Sequence, residues 1–201
     1  MKWIVLASLM MVNHLAQAAE VGTTVFTRGE VNATQDDTVR VLARRSPIYQ
    51  QEHVTTGTDA RAVLKLSDDT VVTLGEKASF RLAEYVFNEE EKRALLEIPV
   101  GAFRIITGKL TKNENPSFKV STARSTIAVR GTDFWGGSIH EDAIDIALLD
   151  SDHSLIVSNE YGSVEITTPG YGTTVYEGKA PTEPELWGEA MMKKAVGMIS
   201  Y

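Results

Sequence analysis

The chain has 201 residues, 43% of them hydrophobic and 23% charged, which is enough apolar surface for one ordinary core and too much for a disordered segment. Its formal net charge of -7 leaves no basic surface to neutralise the phosphates of a nucleic acid. The absence of cysteine excludes thiol catalysis, thiolate zinc sites, disulfide staples and lipid attachment through an N-terminal cysteine.

In chain order, residues 1–18 read first as a cleavable export leader. Lys2 supplies a positive charge, Trp3 to Val12 is a run of apolar and small residues, and Ala16-Gln17-Ala18 fits the small-x-small cleavage rule. Asn13 and His14 end the run well short of the roughly 20 apolar residues that a spanning helix needs. The expected product begins at Ala19 and is a soluble periplasmic protein that does not span the membrane.

From Val21 to Tyr176, short runs rich in Val, Ile, Thr, Leu and Phe are separated by Gly, Asn, Asp and Pro, with no sustained helical period. Val63–Leu66 and Val71–Leu74 flank Ser67-Asp68-Asp69-Thr70, whose aspartates suit a tight turn, and form the clearest predicted hairpin. Ser79–Phe87 and Leu95–Ile98 flank the charged tip Asn88–Lys92, read as a solvated turn. Further strands are predicted at Phe118–Val120, Thr126–Val129, Ala143–Leu149, Leu155–Val157 and Val164–Ile166. Within Ala143–Leu149, Ile144, Ile146 and Leu148 alternate with Asp145 and Ala147, which predicts a strand with one wet face.

The predicted fold is therefore all-β: one domain over residues 19–178, many short strands arranged as a solenoid-like stack or an irregular sandwich. No exact repeat chooses between these two forms. Pro181 and Pro184 mark a change of character, and residues 179–201 form a tail. There Leu186, Trp187, Ala190, Met191, Ala195, Met198 and Ile199 recur at steps of three and four, predicting a short amphipathic helix over Glu183–Ser200. Such a helix either packs on its own domain or docks a partner or membrane surface, with Trp187 and Met191 as its contacts in the second case.

The search for chemistry is mostly negative. His53, His140 and His153 fall in no metal-ligand spacing. Asp150, Asp152 and His153 come nearest to a ligand cluster but supply too few oxygens for a calcium loop, so they read as a polar turn. Neither a Gly-x-Ser-x-Gly elbow, a Ser-x-x-Lys pair nor a phosphate-binding loop is present. No catalytic residue, cofactor or metal is assigned, and the protein is not expected to be an enzyme. The densest motif is Arg130-Gly131-Thr132-Asp133-Phe134-Trp135. These residue types suit a tight β corner, with Thr132 and Asp133 bonding backbone groups and Arg130 capping carbonyls or pairing with an acid. At a surface they would instead present charge beside an aromatic anchor, Trp135.

Thr126-Ile127-Ala128-Val129-Arg130-Gly131-Thr132-Asp133-Phe134 is also the most specific part of a wider pattern. With it go Val54-Thr55-Thr56-Gly57, Ala62–Leu74 with its Asp-x-Thr turn, Gly101–Arg104 leading to Thr107-Gly108-Lys109, and Gly162-Ser163-Val164 followed by Pro169-Gly170. From about Val25 to Val175 the chain resembles the FecR-type domain, an all-β module of exported bacterial proteins and of periplasmic regions of iron-responsive anti-sigma regulators. The resemblance implies a stand-alone module without enzymatic activity, acting through contacts with an envelope or membrane protein as a sensor or adaptor in envelope signalling. Two departures matter. The family's Asp-Gly-Thr turn is Asp68-Asp69-Thr70 here, and the sigma-binding segment and membrane helix of the regulators have no counterpart ahead of the domain. Direct contact with a cytoplasmic sigma factor is therefore not expected. The alternative from another class is a small-ligand or glycan-binding domain with Trp135, Tyr161 and Tyr171 as stacking platforms.

Overall fold

The computed structural model describes residues 19–111, 117–151 and 153–200; the predicted leader at 1–18 lies outside them. In chain order the strands are β1 (Glu20–Arg28), β2 (Val31–Gln35), β3 (Thr38–Val41), β4 (Pro47–Tyr49), β5 (His53–Thr56), β6 (Arg61–Leu66), β7 (Val71–Leu74), β8 (Ser79–Phe87), β9 (Lys92–Val100) and β10 (Phe103–Ile106). After a single 3-10 turn at Lys109–Thr111 come β11 (Ser117–Ser121), β12 (Thr126–Val129), β13 (Thr132–Gly137), β14 (Ala143–Ser151), β15 (Leu155–Asn159), β16 (Gly162–Ile166), β17 (Tyr171–Tyr176) and β18 (Glu185–Leu186), then one helix, α1 (Glu189–Gly197).

These strands form two nine-stranded sheets. The first has the order β18-β17-β14-β13-β10-β7-β6-β1-β4 and the second β16-β15-β12-β11-β9-β8-β5-β2-β3. Beyond the opening strands, each sheet adds members in sequence order, so both lengthen in the same direction as the chain shuttles between them. The all-β domain thus combines the two predicted forms: a sandwich in its layers, a solenoid-like stack in its order of growth. Neighbouring strands are antiparallel except β9 and β11, which run parallel because the chain leaves the second sheet after β9, passes through β10 in the first, and returns by way of the 3-10 turn.

Alternation along the strands builds the core. Phe80 and Leu82 of β8, Leu96 and Ile98 of β9, and Phe118 and Val120 of β11 meet Leu64 and Leu66 of β6, Val72 and Leu74 of β7, and Phe103 and Ile105 of β10. Phe103 and Phe134 stack edge to face with centroids 6.2 Å apart. At the N-terminal end of the stack, Arg40 on the edge strand β3 reaches across to the other sheet. It pairs with the buried Glu52 at 2.7 Å, donates to Pro47 O and lies over the Tyr49 ring. A charge turned inward on an edge strand disfavours further strand pairing there.

The predicted hairpin at Ser67–Thr70 joins β6 to β7 and is organised by Asp68, which is fully buried. Its Oδ1 accepts from Tyr85 Oη (3.1 Å) and Thr70 N (3.2 Å), and its Oδ2 from Thr70 Oγ1 (2.7 Å) and Leu110 N (3.1 Å). Burial and the neighbouring Asp68 charge hold the Tyr85 phenol well above its ordinary range, so it stays a donor. Next to it Asp69 adopts φ +71°, the left-handed conformation that the family's glycine takes without strain and that aspartate tolerates. Asp69 pairs with Lys109 at 2.6 Å and Lys65 at 2.8 Å, and these bonds lower its pKa from 3.8 to about 2. The pairs therefore stabilise the fold above pH 3.8, and their contribution is lost as pH falls toward 2. All three side chains are exposed, so the effect is small and salt-sensitive. In Lys109→Ala the Asp69 carboxyl, followed by NMR titration, is expected to titrate closer to 3.8; an unmoved midpoint would contradict the ion-pair account.

Two expectations are corrected. The strand β14 has no wet face: Asp145 and Ala147 are as fully buried as Ile144, Ile146 and Leu148, because the tail folds back over the first sheet. Asp145 is satisfied there by Ile139 N (2.7 Å), His140 N (2.9 Å), His140 Nδ1 (2.7 Å) and Thr174 Oγ1 (2.7 Å). The tail helix begins at Glu189 instead of Glu183. Residues Glu185 and Leu186 pair with β17 as a short strand, and Gly188 is still extended at ψ 160°, so Leu186 projects into solvent instead of joining a helical face. Among the described residues no helix is long and apolar enough to cross a membrane.

Candidate functional site

The Arg130–Trp135 motif turns the chain from β12 in the second sheet into β13 in the first. Gly131, at φ +84°, makes the corner, a conformation that side-chain-bearing residues adopt at a cost. Thr107 fixes the far side: Thr132 N donates to Thr107 Oγ1 (2.8 Å) and Thr107 N donates to Thr132 O (3.1 Å). Asp133 forms a two-pronged pair with Arg104 of β10, at 2.8 and 2.5 Å, a geometry that orients both side chains.

Strand alternation then divides the motif. Phe134 is buried in the main core. Trp135 faces the other way and is wholly buried in a second cluster with Ala102, Ala147, Trp187, Ala195 and Ile199. Its ring meets that of Trp187 edge to face, centroids 5.8 Å apart. Met191 packs at the margin of the same cluster. Trp135 therefore offers no exposed stacking platform, and Trp187 touches its own domain. Tyr161 is exposed in the β15–β16 turn, while Tyr171 is half-buried against the core.

Arg130, Gly131 and Thr132 remain at the surface corner, where they line a cleft of about 600 Å³ with Thr107, Thr111, Asp150, Ser151 and His153. The last three belong to a stretch whose sequence reads as a polar turn. Cross-strand register brings them in: Thr132 lies opposite Ser151 and Asp133 opposite Asp150. Ser151 Oγ lies 3.1 Å from Gly131 O and accepts from His153 N at 2.6 Å; Asp152 lies outside the described residues. The Thr132 hydroxyl is buried with no hydrogen-bond partner. Among the described residues no three His, Asp or Glu side chains gather to hold a metal ion. His153 meets Ser151 through its backbone N–H, which is not the alignment of a nucleophile and its base. What the cleft offers is a lining of polar and charged hydrogen-bonding groups; the Thr132 hydroxyl, shielded from solvent, is not one of them.

Residues 52–180 match the family model described as FecR protein, more than half of the chain, and the protein belongs to the FecR family. Two crystal structures of a candidate anti-sigma factor from Parabacteroides distasonis, at 2.50 and 1.65 Å resolution, share the fold, each with a TM-score of 0.56 and 13% identity. The match takes in 72% of this chain in both cases, but only 63% and 64% of theirs. No curated protein matches the chain significantly. The family match ends at residue 180, ahead of β18 and α1.

Proposed function

We propose that this FecR-family protein is a non-enzymatic regulatory module of the bacterial envelope that works by binding a protein partner at the Arg130–Thr132 corner. The observation that carries the reading is the cleft itself, which gathers Arg130, Asp150, Ser151 and His153 at one surface corner, a grouping of charged and hydrogen-bonding side chains that a complementary polar surface can recognise. Family membership supports a signalling role, and the leader-like residues 1–18 support delivery to the periplasm, where a partner in the membrane is within reach. Cleavage after Ala18 would leave Ala19 as the N-terminus, which mass spectrometry of the exported protein reads directly.

The test is a photocrosslinker placed at the exposed Ile106 on the cleft rim, with Tyr161, in a turn at the opposite end of the strands, as control. One discrete membrane-protein adduct is expected from Ile106 and none from Tyr161. Thr132→Val removes the hydroxyl at nearly constant shape. It is expected to leave stability unchanged or raised by up to about 1 kcal/mol, whereas Arg130→Ala, at the exposed rim of the cleft, is expected to weaken the adduct. A loss of stability with an undiminished adduct would make the corner merely structural. A second reading, small-ligand or glycan binding, rests on the cleft's volume, which lies within the range of ordinary ligand sites. Saturable binding of cell-wall fragments without a protein adduct would select it.

A further inference from the structure

The segment from Glu185 to Ser200 lies beyond the family match and closes a face of the first sheet. The apolar cluster it forms is separate from the main core, so the sandwich fills its interior without it. The sheet is shaped to receive it. A Cβ on Gly172 would lie 2.4 Å from the Trp187 indole, and one on Gly137 would lie 2.7 Å from the Trp135 ring; the two glycines make room for the two indoles. Two residues, Glu185 and Leu186, add to the edge of β17, and Trp187 N donates to Gly170 O at 2.9 Å. Strand addition, an aromatic anchor and an amphipathic helix are the means by which peptides are recognised in trans.

The seal is imperfect. Trp135 Nε1 is buried without a hydrogen-bond partner. The helix has nine residues and no side-chain bond at its N-cap, too short to persist unaided. Met191, Met192 and Met198 fill its margin, and methionine suits surfaces that must repack. Leu186 and Val196 stay exposed. The chain just before it is tied down, since Thr182 N donates to Thr174 O and Thr182 Oγ1 accepts from Thr174 N. That places the hinge at Glu183 and Pro184.

We propose that Glu185–Ser200 is a displaceable plug, and that the slot beneath it on β13, β14 and β17 docks a partner segment of the same chemistry: a short edge strand, an indole, then an amphipathic helix. The slot lies on the outer face of the first sheet, and the proposal does not depend on the cleft at Arg130. Opening frees the β17 edge and bares Trp135, Ala147 and Ala102 together, so the plug competes with the partner and sets the threshold for binding.

The test uses the full chain and a fluorescent peptide of residues 183–200. Trp187→Ala vacates the slot, and the peptide is expected to bind this variant at least about tenfold more tightly than the wild type, whose own tail competes. Adding Ala147→Phe, at a position buried beneath the tail, fills the slot and is expected to abolish that binding. Equal binding to wild type and Trp187→Ala, binding that survives Ala147→Phe, or no binding to Trp187→Ala would overturn the proposal. Hydrogen exchange on the wild type provides a check free of mutation. The α1 amides are expected to exchange about 100-fold faster than those of β13 and β14, as an independently opening unit does. If they exchange only at the rate of those strands, the tail does not open on its own and the plug is refuted.

Discussion

Replacing Asp68 with alanine is expected to destabilise the protein by about 3–5 kcal/mol, read as a shift in the urea midpoint at unchanged slope. The carboxylate is fully buried and is the acceptor for four donors drawn from three parts of the chain: Thr70 in the turn, Tyr85 on β8 and Leu110 in the 3-10 turn. Alanine removes the acceptor and leaves those donors out of water, so the penalty is their desolvation, beyond the net worth of the bonds. The neighbouring backbone allows little repair. A Cβ on Gly108 would already lie 2.1 Å from Asp68 O, so the segment cannot close over the gap. Tyr85→Phe removes one member only and is expected to cost about 1 kcal/mol. A loss below about 1 kcal/mol for Asp68→Ala would show that the turn is held by its strands alone.

Asp145→Ala is expected to cost about 3 kcal/mol by the same measurement. Here the donors are Ile139 N, both His140 N and Nδ1, and Thr174 Oγ1, so one carboxylate anchors the β13–β14 connection and joins it to β17. The damage is expected to be local as well as global: near-ultraviolet signals of Trp135 and Trp187, which lie over the same strands, should broaden below the unfolding transition. Asp145→Asn keeps the shape but places an N–H₂ where two donors converge, and should recover less than half of the loss. Full recovery by asparagine would mean that size, and not acceptor capacity, is what the site requires.

Both aspartates show where reading the sequence succeeds and where it stops. The hairpin around Asp68 was legible because Asp-x-Thr between two apolar runs carries its own turn chemistry. The alternation in Ala143–Leu149 marks a strand, yet the wet second face it predicts is absent, because periodicity reports one strand's pattern and not which distant segment will cover it. In the covering segment, residues 185–200, the three-and-four spacing predicts one helix, but the pairing of Leu186 with Tyr171, which keeps its start extended, is a long-range contact. The candidate site divides similarly. Gly131 at the corner and the Arg130–Trp135 motif stood out by composition, whereas Asp150, Ser151 and His153 entered the cleft through cross-strand register, which no local pattern encodes.

The order of strands in the two sheets carries a kinetic consequence. Because each new hairpin lands beside strands already laid down, no pairing joins strands more than five places apart in the chain, and the loop-closure entropy of each step stays bounded however long the stack grows. Such a chain can assemble by accretion, behaving as a quasi-one-dimensional array whose growing end is always an incomplete edge. For a polypeptide that leaves the ribosome N-terminus first, this lets the Arg40–Glu52 end form as a finished cap while the rest is still being made. β17 and the segment that follows it emerge after the other strands of the first sheet and close its growing edge against aggregation.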